Sequence, residues 1–399
     1  MKLSILCMLL FYGVIFSEDW PHFMGPSYNN QSRVQGINKT WKIKQPKLLW
    51  KISMNDNGYA GPAAAGGIVY IVDYDPAAGN DVVKAIDLNN GNIKWSFSYP
   101  TDKKVNYGQT KTTPAVSEGK LYTYSKKGIL FCLDAKTGKS IWSVDILSKY
   151  GGKYPKWEYA ASPFIDGGKV ILLSGGDKNI IALDKNNGSM IWQGGNAETI
   201  GYATPVKETI LGITQYLVFT GFNILGVSDQ SGAVLWQFPW NTSYDVNAAN
   251  PVFVPPHFIF ITSGYNKGCA MIRIDQKPPQ TCWHNKEVSA HFSSPTLYKD
   301  HLYASSDPGF LVCLNPHDGS LKWKQRILEK GGFIIADEVI IALHGGNGLL
   351  TMAKADSAAY TELGSFVPLG GQSWTTPILA GKNLIIRNKQ FLACIDLTP

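Results

Sequence analysis

Charge is scarce in this 399-residue chain. Asp, Glu, Lys and Arg make up 17% of it, where about a quarter is usual for a soluble protein. With aromatic residues at 12%, that shortage excludes a disordered chain or a coiled coil, both rich in charge and poor in large rings. Runs of Lys or Arg are also missing. The net charge of +7 comes from 37 basic and 30 acidic residues dispersed along the chain, which leaves no footprint for nucleic acid. Beyond Phe16 no apolar stretch approaches the ~18 residues of a membrane helix, so no transmembrane helix is expected in the mature chain. Cysteine is sparse, at six residues, and no two are adjacent.

The one long apolar run stands at the start. Met1 and Lys2 precede an almost unbroken apolar segment from Leu3 to Phe16, followed by Ser17, Glu18 and Asp19. It is too short to span a bilayer and lacks alternation, so residues 1–17 read as a secretory signal peptide. Cys7 lies mid-run behind bulky Leu6, the wrong place for lipidation. An exported protein is therefore expected, periplasmic or extracellular, with residues 18–47 as an N-terminal extension. Five cysteines remain, an odd number that cannot pair completely. Cys132, Cys313 and Cys394 share one repeat position, held elsewhere by Ala85 and Ala182, and read as small apolar fillers. Cys269 and Cys282 flank a hairpin in a diagonal register, which makes a disulfide the less favoured outcome.

What the chain has in plenty is internal repetition. A unit of Asp, a few variable residues, Gly, three residues and Trp recurs as Asp87…Gly91…Trp95, Asp134…Gly138…Trp142 and Asp184…Gly188…Trp192. Further copies are Asp229…Gly232…Trp236, Asp275…Trp283 with Pro279 at the Gly place, and Asn315…Gly319…Trp323. This is the pattern of a β-hairpin: Asp accepts from turn amides, Gly supplies a positive φ, and Trp anchors the outgoing strand. A small residue followed by Pro opens the units, as in Thr113-Pro114, Ser162-Pro163, Thr204-Pro205, Asn250-Pro251, Ser294-Pro295 and Thr376-Pro377. Two short apolar runs follow, so each unit holds four strands. The series starts at Trp50 and recurs about every 45 residues, the period of propeller blades, with Phe366 in the eighth place. Residues 374–397 supply three strands without a closing one, and Leu48-Leu49-Trp50 is a closing strand without three before it. Joining them gives an all-β fold: an eight-bladed β-propeller over residues 48–397, of four-stranded antiparallel blades, closed by pairing of the N-terminal strand with the C-terminal blade. Trp20, Trp41, Trp157, Trp240 and Trp374 fall outside the register and remain available for other roles.

The segment from Asp134 to Trp142, with the copies ending at Trp95 and Trp192, resembles the repeat of the pyrroloquinoline-quinone (PQQ) propellers, in register over residues 48–397. Asp19-Trp20-Pro21-His22-Phe23-Met24-Gly25-Pro26 also resembles the opening of many secreted bacterial propellers of that superfamily. The resemblance implies one of two classes. Quinoprotein alcohol dehydrogenases hold PQQ and Ca²⁺ in the central funnel; non-catalytic relatives, such as the propeller of the outer-membrane β-barrel assembly machinery, bind other proteins. Fold alone does not choose between them.

A quinoprotein site requires a cage of oxygen ligands for the cation, a carboxylate base, a cation against the cofactor and flat faces around its ring. The disulfide between adjacent cysteines that such dehydrogenases use for stacking is absent, as is their Gly-x-Gly-Asn-Pro-type segment. The residues just before each first-strand Pro are expected at one mouth of the channel: Tyr59, Lys111, Glu158 with Tyr159, Tyr202, Asn247, His291 and Trp374. On the quinoprotein reading Glu158 and Asn247 are metal ligands, while Lys111, Tyr202 and Trp374 bind the cofactor. Tyr59, Tyr159 and His291 are candidate ligand-binding residues, and Asp245 is the other nearby candidate base. Thr137-Gly138-Lys139-Ser140 imitates a phosphate loop, but Leu133 stands where its earlier Gly belongs, and the seven His lack metal-ligand spacing. The favoured expectation is a non-catalytic binding or scaffold module of the cell envelope, without a cofactor. Its partner is an envelope protein or a small ligand, taken at the mouth or at the loops 74–81 and 266–268. The alternative is a PQQ- and Ca²⁺-dependent alcohol or sugar dehydrogenase.

Overall fold

The structure, a computed structural model, describes residues 18–101 and 107–399; the expected signal peptide lies outside them. Eight sheets stand side by side around a central channel. Blades 1 to 7 are continuous in sequence, at residues 63–100, 115–145, 164–194, 206–239, 252–285, 296–326 and 332–366. Blade 8 is composite. Ile378–Ala380, Asn383–Arg387 and Phe391–Asp396 run outward from the channel, and Lys47–Ser53 takes the outermost place. Lys47 pairs with Asp396 and Ser53 with Phe391 in antiparallel register. Head and tail are thus joined as the unpaired strands demanded. Middle strands such as Lys169–Leu173 and Val339–Leu343 are near-continuous Val, Ile and Leu because blades cover both of their faces, whereas outer strands such as Ile93–Pro100 are largely exposed.

The hairpin signature locks blade to blade. Five of the signature indoles lie on the turn glycine of the next blade: Trp50 on Gly91, Trp95 on Gly138, Trp142 on Gly188, Trp192 on Gly232 and Trp283 on Gly319. The Nε1 of Trp50 donates to the Leu88 carbonyl at 2.7 Å, and that of Trp283 to Pro316 at 2.8 Å. Opposite the ring within its own blade sits the small filler: Ala85 faces Trp95, Cys132 faces Trp142 and Cys394 faces Trp50. Glycine is therefore needed twice at the turn, for its backbone and for its missing side chain. Gly138 has φ +72, and a β-carbon there would lie 2.5 Å from the Trp95 ring; Gly119 has φ +75 but open space around it. Gly119→Ala is expected to cost about 1–2 kcal/mol of backbone strain. Gly138→Ala adds overpacking of about 1–3 kcal/mol. Urea unfolding should place the Gly138→Ala midpoint clearly below that of Gly119→Ala; equal midpoints would mean that the indole moves aside freely.

Blade 7 corrects the sequence reading. Its Trp place is not Phe366 but Gly364, which faces Met352 as Trp95 faces Ala85, each with the same bulge one residue on. The vacancy is filled from outside the blade by Trp41: a side chain on Gly364 would begin 2.6 Å from the Trp41 β-carbon. The Trp41 indole meets Phe366 edge-on at 5.3 Å and donates to the Asn38 carbonyl at 2.9 Å.

Trp41 belongs to an extension that crosses the end of the channel where the innermost strands finish. Trp20 and Ala64 exchange amide bonds of 2.9 and 2.7 Å, and the Pro21 carbonyl accepts from Val116 at 2.8 Å. The Tyr28 hydroxyl accepts from the Ile165 amide at 3.0 Å and the Asn29 carbonyl from Thr296 at 3.1 Å. Gln31–Ser32 adds a parallel strand to Gly332–Ala336 of blade 7, and the Glu18 carbonyl accepts from the Gly381 amide of blade 8. Six of the eight blades grip this segment.

The join is fastened by buried charge. Arg387, 1% exposed, donates Nη2 to Asp56 at 2.9 Å and Nη1 to the Ala60 carbonyl at 2.8 Å. Asp56 also accepts from the amides of Gly58 and Gln109 and from the Thr110 hydroxyl. The five described cysteines are all free: Cys269 is buried opposite Asn285, and Cys282 is exposed on the outer strand of blade 5.

Two buried groups titrate against each other. His22, stacked on Tyr28 at 3.7 Å, is brought down to about 4 by burial, and Asp81 is pushed up to about 6 by burial, with Lys126 opposing. The depressed His stabilises the fold fully above its unfolded value, and that contribution is lost as pH falls from about 6.5 to about 4. The raised Asp favours the fold while protonated, a contribution lost as pH climbs from about 4 to about 6. Each is on the order of 3 kcal/mol, so they largely offset. His22→Phe is expected to make stability fall with rising pH across this window, and Asp81→Asn to make it rise. Urea titrations at pH 4 and 6.5 read the sign; equal slopes in the two variants would refute the assignment.

Candidate functional site

The other end of the channel opens as a funnel of 680 Å³. Trp20, Phe23, Met24 and Asn30 of the extension form its floor, so the well is blind. The wall carries the small residues that precede the prolines. They form a belt: the Thr113 amide donates to Ser162 Oγ and the Ser162 amide to Thr204 Oγ1, both at 2.9 Å, and the Asn250 amide to Ser294 Oγ at 3.1 Å. This is the physical reason for the small polar residue before Pro, whose own nitrogen cannot donate.

Above the belt runs a collar of eight rings. Tyr59 stacks on Trp374 at 5.0 Å and 19°, Trp374 meets Phe292 at 5.7 Å, and Phe292 meets His291 at 5.3 Å. His291 contacts Tyr265 at 4.7 Å, Tyr265 contacts Tyr244 at 5.3 Å, and Trp157 joins Tyr244 to Tyr107 at 6.5 and 5.8 Å. Gly108 closes the circle, its absent β-carbon 3.1 Å from the Tyr59 ring.

A simple rule selects which residues face the cavity. The residue three before each first-strand Pro lines it in every case: Tyr59, Lys111, Ala160, Tyr202, Ala248, Phe292 and Trp374. Neighbours in an extended segment point to opposite sides, so the position before it turns into the wall. Tyr159 is there, 1% exposed, its hydroxyl donating to the Ser174 carbonyl at 2.5 Å. Asn247 is there as well. His291 is the exception and lines the funnel, its Nδ1 3.6 Å from Asp307. Tyr202 accepts from the Trp157 amide at 3.2 Å, and burial lifts its hydroxyl to about 12. Asp245 lies in a short turn with φ +62, its β-carbon against Gly221.

The charged candidates are committed to protein partners. Lys111 Nζ bonds the Glu158 carboxylate and, at 3.1 Å, the Trp157 carbonyl; burial, with repulsion from Lys126, brings its amine down to about 8. Asn247, fully buried, accepts from the hydroxyls of Thr242 and Ser263, both at 2.6 Å, and its Nδ2 donates to the carbonyls of Thr220 and Trp240 at 2.9 and 3.1 Å. Calcium takes six to eight oxygen ligands. Glu158 and Asn247 are absent from the funnel lining, both bonded to protein partners, and among the described residues no three of His, Cys, Asp and Glu gather as a metal cluster. The residues expected to hold the cation do not fit it. Lys330 escaped the sequence reading: it lines the funnel with Nζ 5.3 Å above the Trp374 ring.

The family described as outer membrane protein assembly factor BamB matches residues 79–325 and 280–398. The chain belongs to this BamB family. It is 20% identical to the BamB of Yersinia pestis over 365 residues, 84% of each chain. The dehydrogenase subunit of the quinone alcohol dehydrogenase of Gluconacetobacter polyoxogenes is 29% identical, but over 199 residues, 45% of this chain and 26% of that one. The solved quinohemoprotein alcohol dehydrogenase of Comamonas testosteroni superposes with a TM-score of 0.71 at 14% identity, covering 96% of this chain and 81% of that one. The propeller is thus shared with both classes, while the match along the sequence is broad to BamB and partial to the dehydrogenases. Among the described residues no helix is long and apolar enough to cross a membrane.

Proposed function

We propose that this BamB-family chain is a non-catalytic binding and scaffold module of the cell envelope, exported to the periplasm, that takes an envelope protein or a small ligand at the aromatic funnel. The observation that carries this reading is the engagement of Glu158 and Asn247 by Lys111, Thr242 and Ser263, which spends on the protein the groups that the dehydrogenase reading assigns to the cation. Tyr59, Lys111, Tyr202, His291 and Trp374 are the contact residues. Glu158, Tyr159 and Asn247 hold the loops that present them; the Asn247 carbonyl accepts from the Tyr202 amide at 2.8 Å. The BamB relatives, named for outer membrane protein assembly, support a role in bringing proteins together.

The test is direct. Purified protein mixed with PQQ and Ca²⁺ should give no alcohol-dependent reduction of an artificial dye above the buffer rate, and Glu158→Gln should change nothing in that assay. Turnover that disappears in Glu158→Gln would overturn the reading in favour of a dehydrogenase.

A further inference from the structure

A circle of aromatic rings would ordinarily suit a cation. Here the charges point the other way. Among the described residues no Asp or Glu lines the funnel, whereas Lys111 and Lys330 both do. Lys111 is neutralised by Glu158, and His291 faces Asp307. Lys330 has no carboxylate within 4 Å among the described residues; its ammonium rests on the Trp374 face. An anion buried in an apolar well needs a cationic partner, and Lys330 is positioned to be one.

Shape narrows the ligand further. The collar closes on all sides, and the extension seals the bottom with Trp20, Phe23 and Met24. A polypeptide cannot lie across this well as it would along a groove, but a chain end can enter it. Its amino terminus carries the same charge as Lys330, whereas its carboxyl terminus carries the opposite one. A volume of 680 Å³ is also that of a site for a compact small molecule.

We infer that the funnel binds an aromatic carboxylate end-on, its ring among the collar residues and its charge at Lys330, supplied either as a free molecule or as the C-terminal residue of a polypeptide. The inference rests on the binding-module reading and adds the ligand's chemistry. Isothermal titration with three isosteric probes tests it: 2-naphthoate, 2-naphthylmethanol and 2-naphthylmethylamine. Naphthoate should bind about tenfold or more tightly than the alcohol, because a charged contact replaces a neutral one, and the amine should not bind. Lys330→Gln should abolish the preference for naphthoate while leaving the alcohol's affinity unchanged, with an unaltered unfolding midpoint as the control. The tripeptide Gly-Gly-Phe against its C-terminal amide then distinguishes the sources: selective binding of the free acid identifies a polypeptide end, and binding of naphthoate alone identifies a free molecule. If acid and alcohol bind equally and both are lost in Trp374→Ala, the carboxylate inference falls while the funnel remains a binding site. If no probe binds, or if Lys330→Gln keeps the preference, the inference falls outright.

Discussion

Replacing Arg387 with Ala is expected to lower the unfolding free energy by about 3–5 kcal/mol, the cost of stranding a buried charge. Arg387 and Asp56 are both fully buried, and their ion pair ties blade 8 to the segment that leads into blade 1. With Arg387 gone, Asp56 keeps only neutral donors for its charge. Among the described residues the Arg387 Nε has no acceptor of its own, so the pair is imperfectly satisfied even when intact. The double replacement Arg387→Met with Asp56→Asn should therefore recover much of the loss. Urea unfolding of the three variants measures this; a loss below about 1 kcal/mol in Arg387→Ala would match an exposed pair rather than a buried one.

Trp50→Ala should cost a similar amount, about 3–5 kcal/mol for a large core ring, with an added consequence. Trp50 is the only signature indole on a strand that reaches its blade from the far end of the chain. Without its seat on Gly91 and its bond to Leu88, Lys47–Ser53 can leave blade 8 and expose the edge of Phe391–Asp396. An open edge recruits other chains, so light scattering should detect association on mild heating. Trp236→Ala is the comparison. That ring bonds Gln215 of its own blade at 2.6 Å, and the next blade has Pro279 where a turn glycine would stand. Its loss should destabilise without association, and equal association in both variants would refute the edge argument.

The ring was legible because its period is written in residue types that physics constrains twice over. Gly138 must tolerate both a left-handed backbone and an indole, Cys132 must be small opposite Trp142, and Ser162 must offer a hydroxyl and precede a strand. Trp41 was not assignable because it replaces a blade residue from a segment distant in sequence, and no period connects the two. The funnel was legible in location and less so in detail. Tyr59, Lys111, Tyr202, His291 and Trp374 face it, but Glu158, Tyr159 and Asn247 sit one or two places earlier and turn into the wall. A fixed count of three before Pro would have separated them, His291 excepted, and added Phe292. Tyr244, Tyr265 and Lys330 come from other loops, whose approach to the mouth depends on the assembled ring.

The composite eighth blade also sets an order of events. Lys47–Ser53 is synthesised before the strands of blades 1 to 7, yet its hydrogen-bonding partner, Phe391–Asp396, is synthesised after them. Lys47–Ser53 must wait, unsatisfied, until Phe391–Asp396 has been made. Contacts this remote in sequence form slowly and leave partly folded chains open to misassociation. Closure of the ring is therefore governed by the meeting of these two strands, and anything that shields the waiting strand in transit would raise its yield.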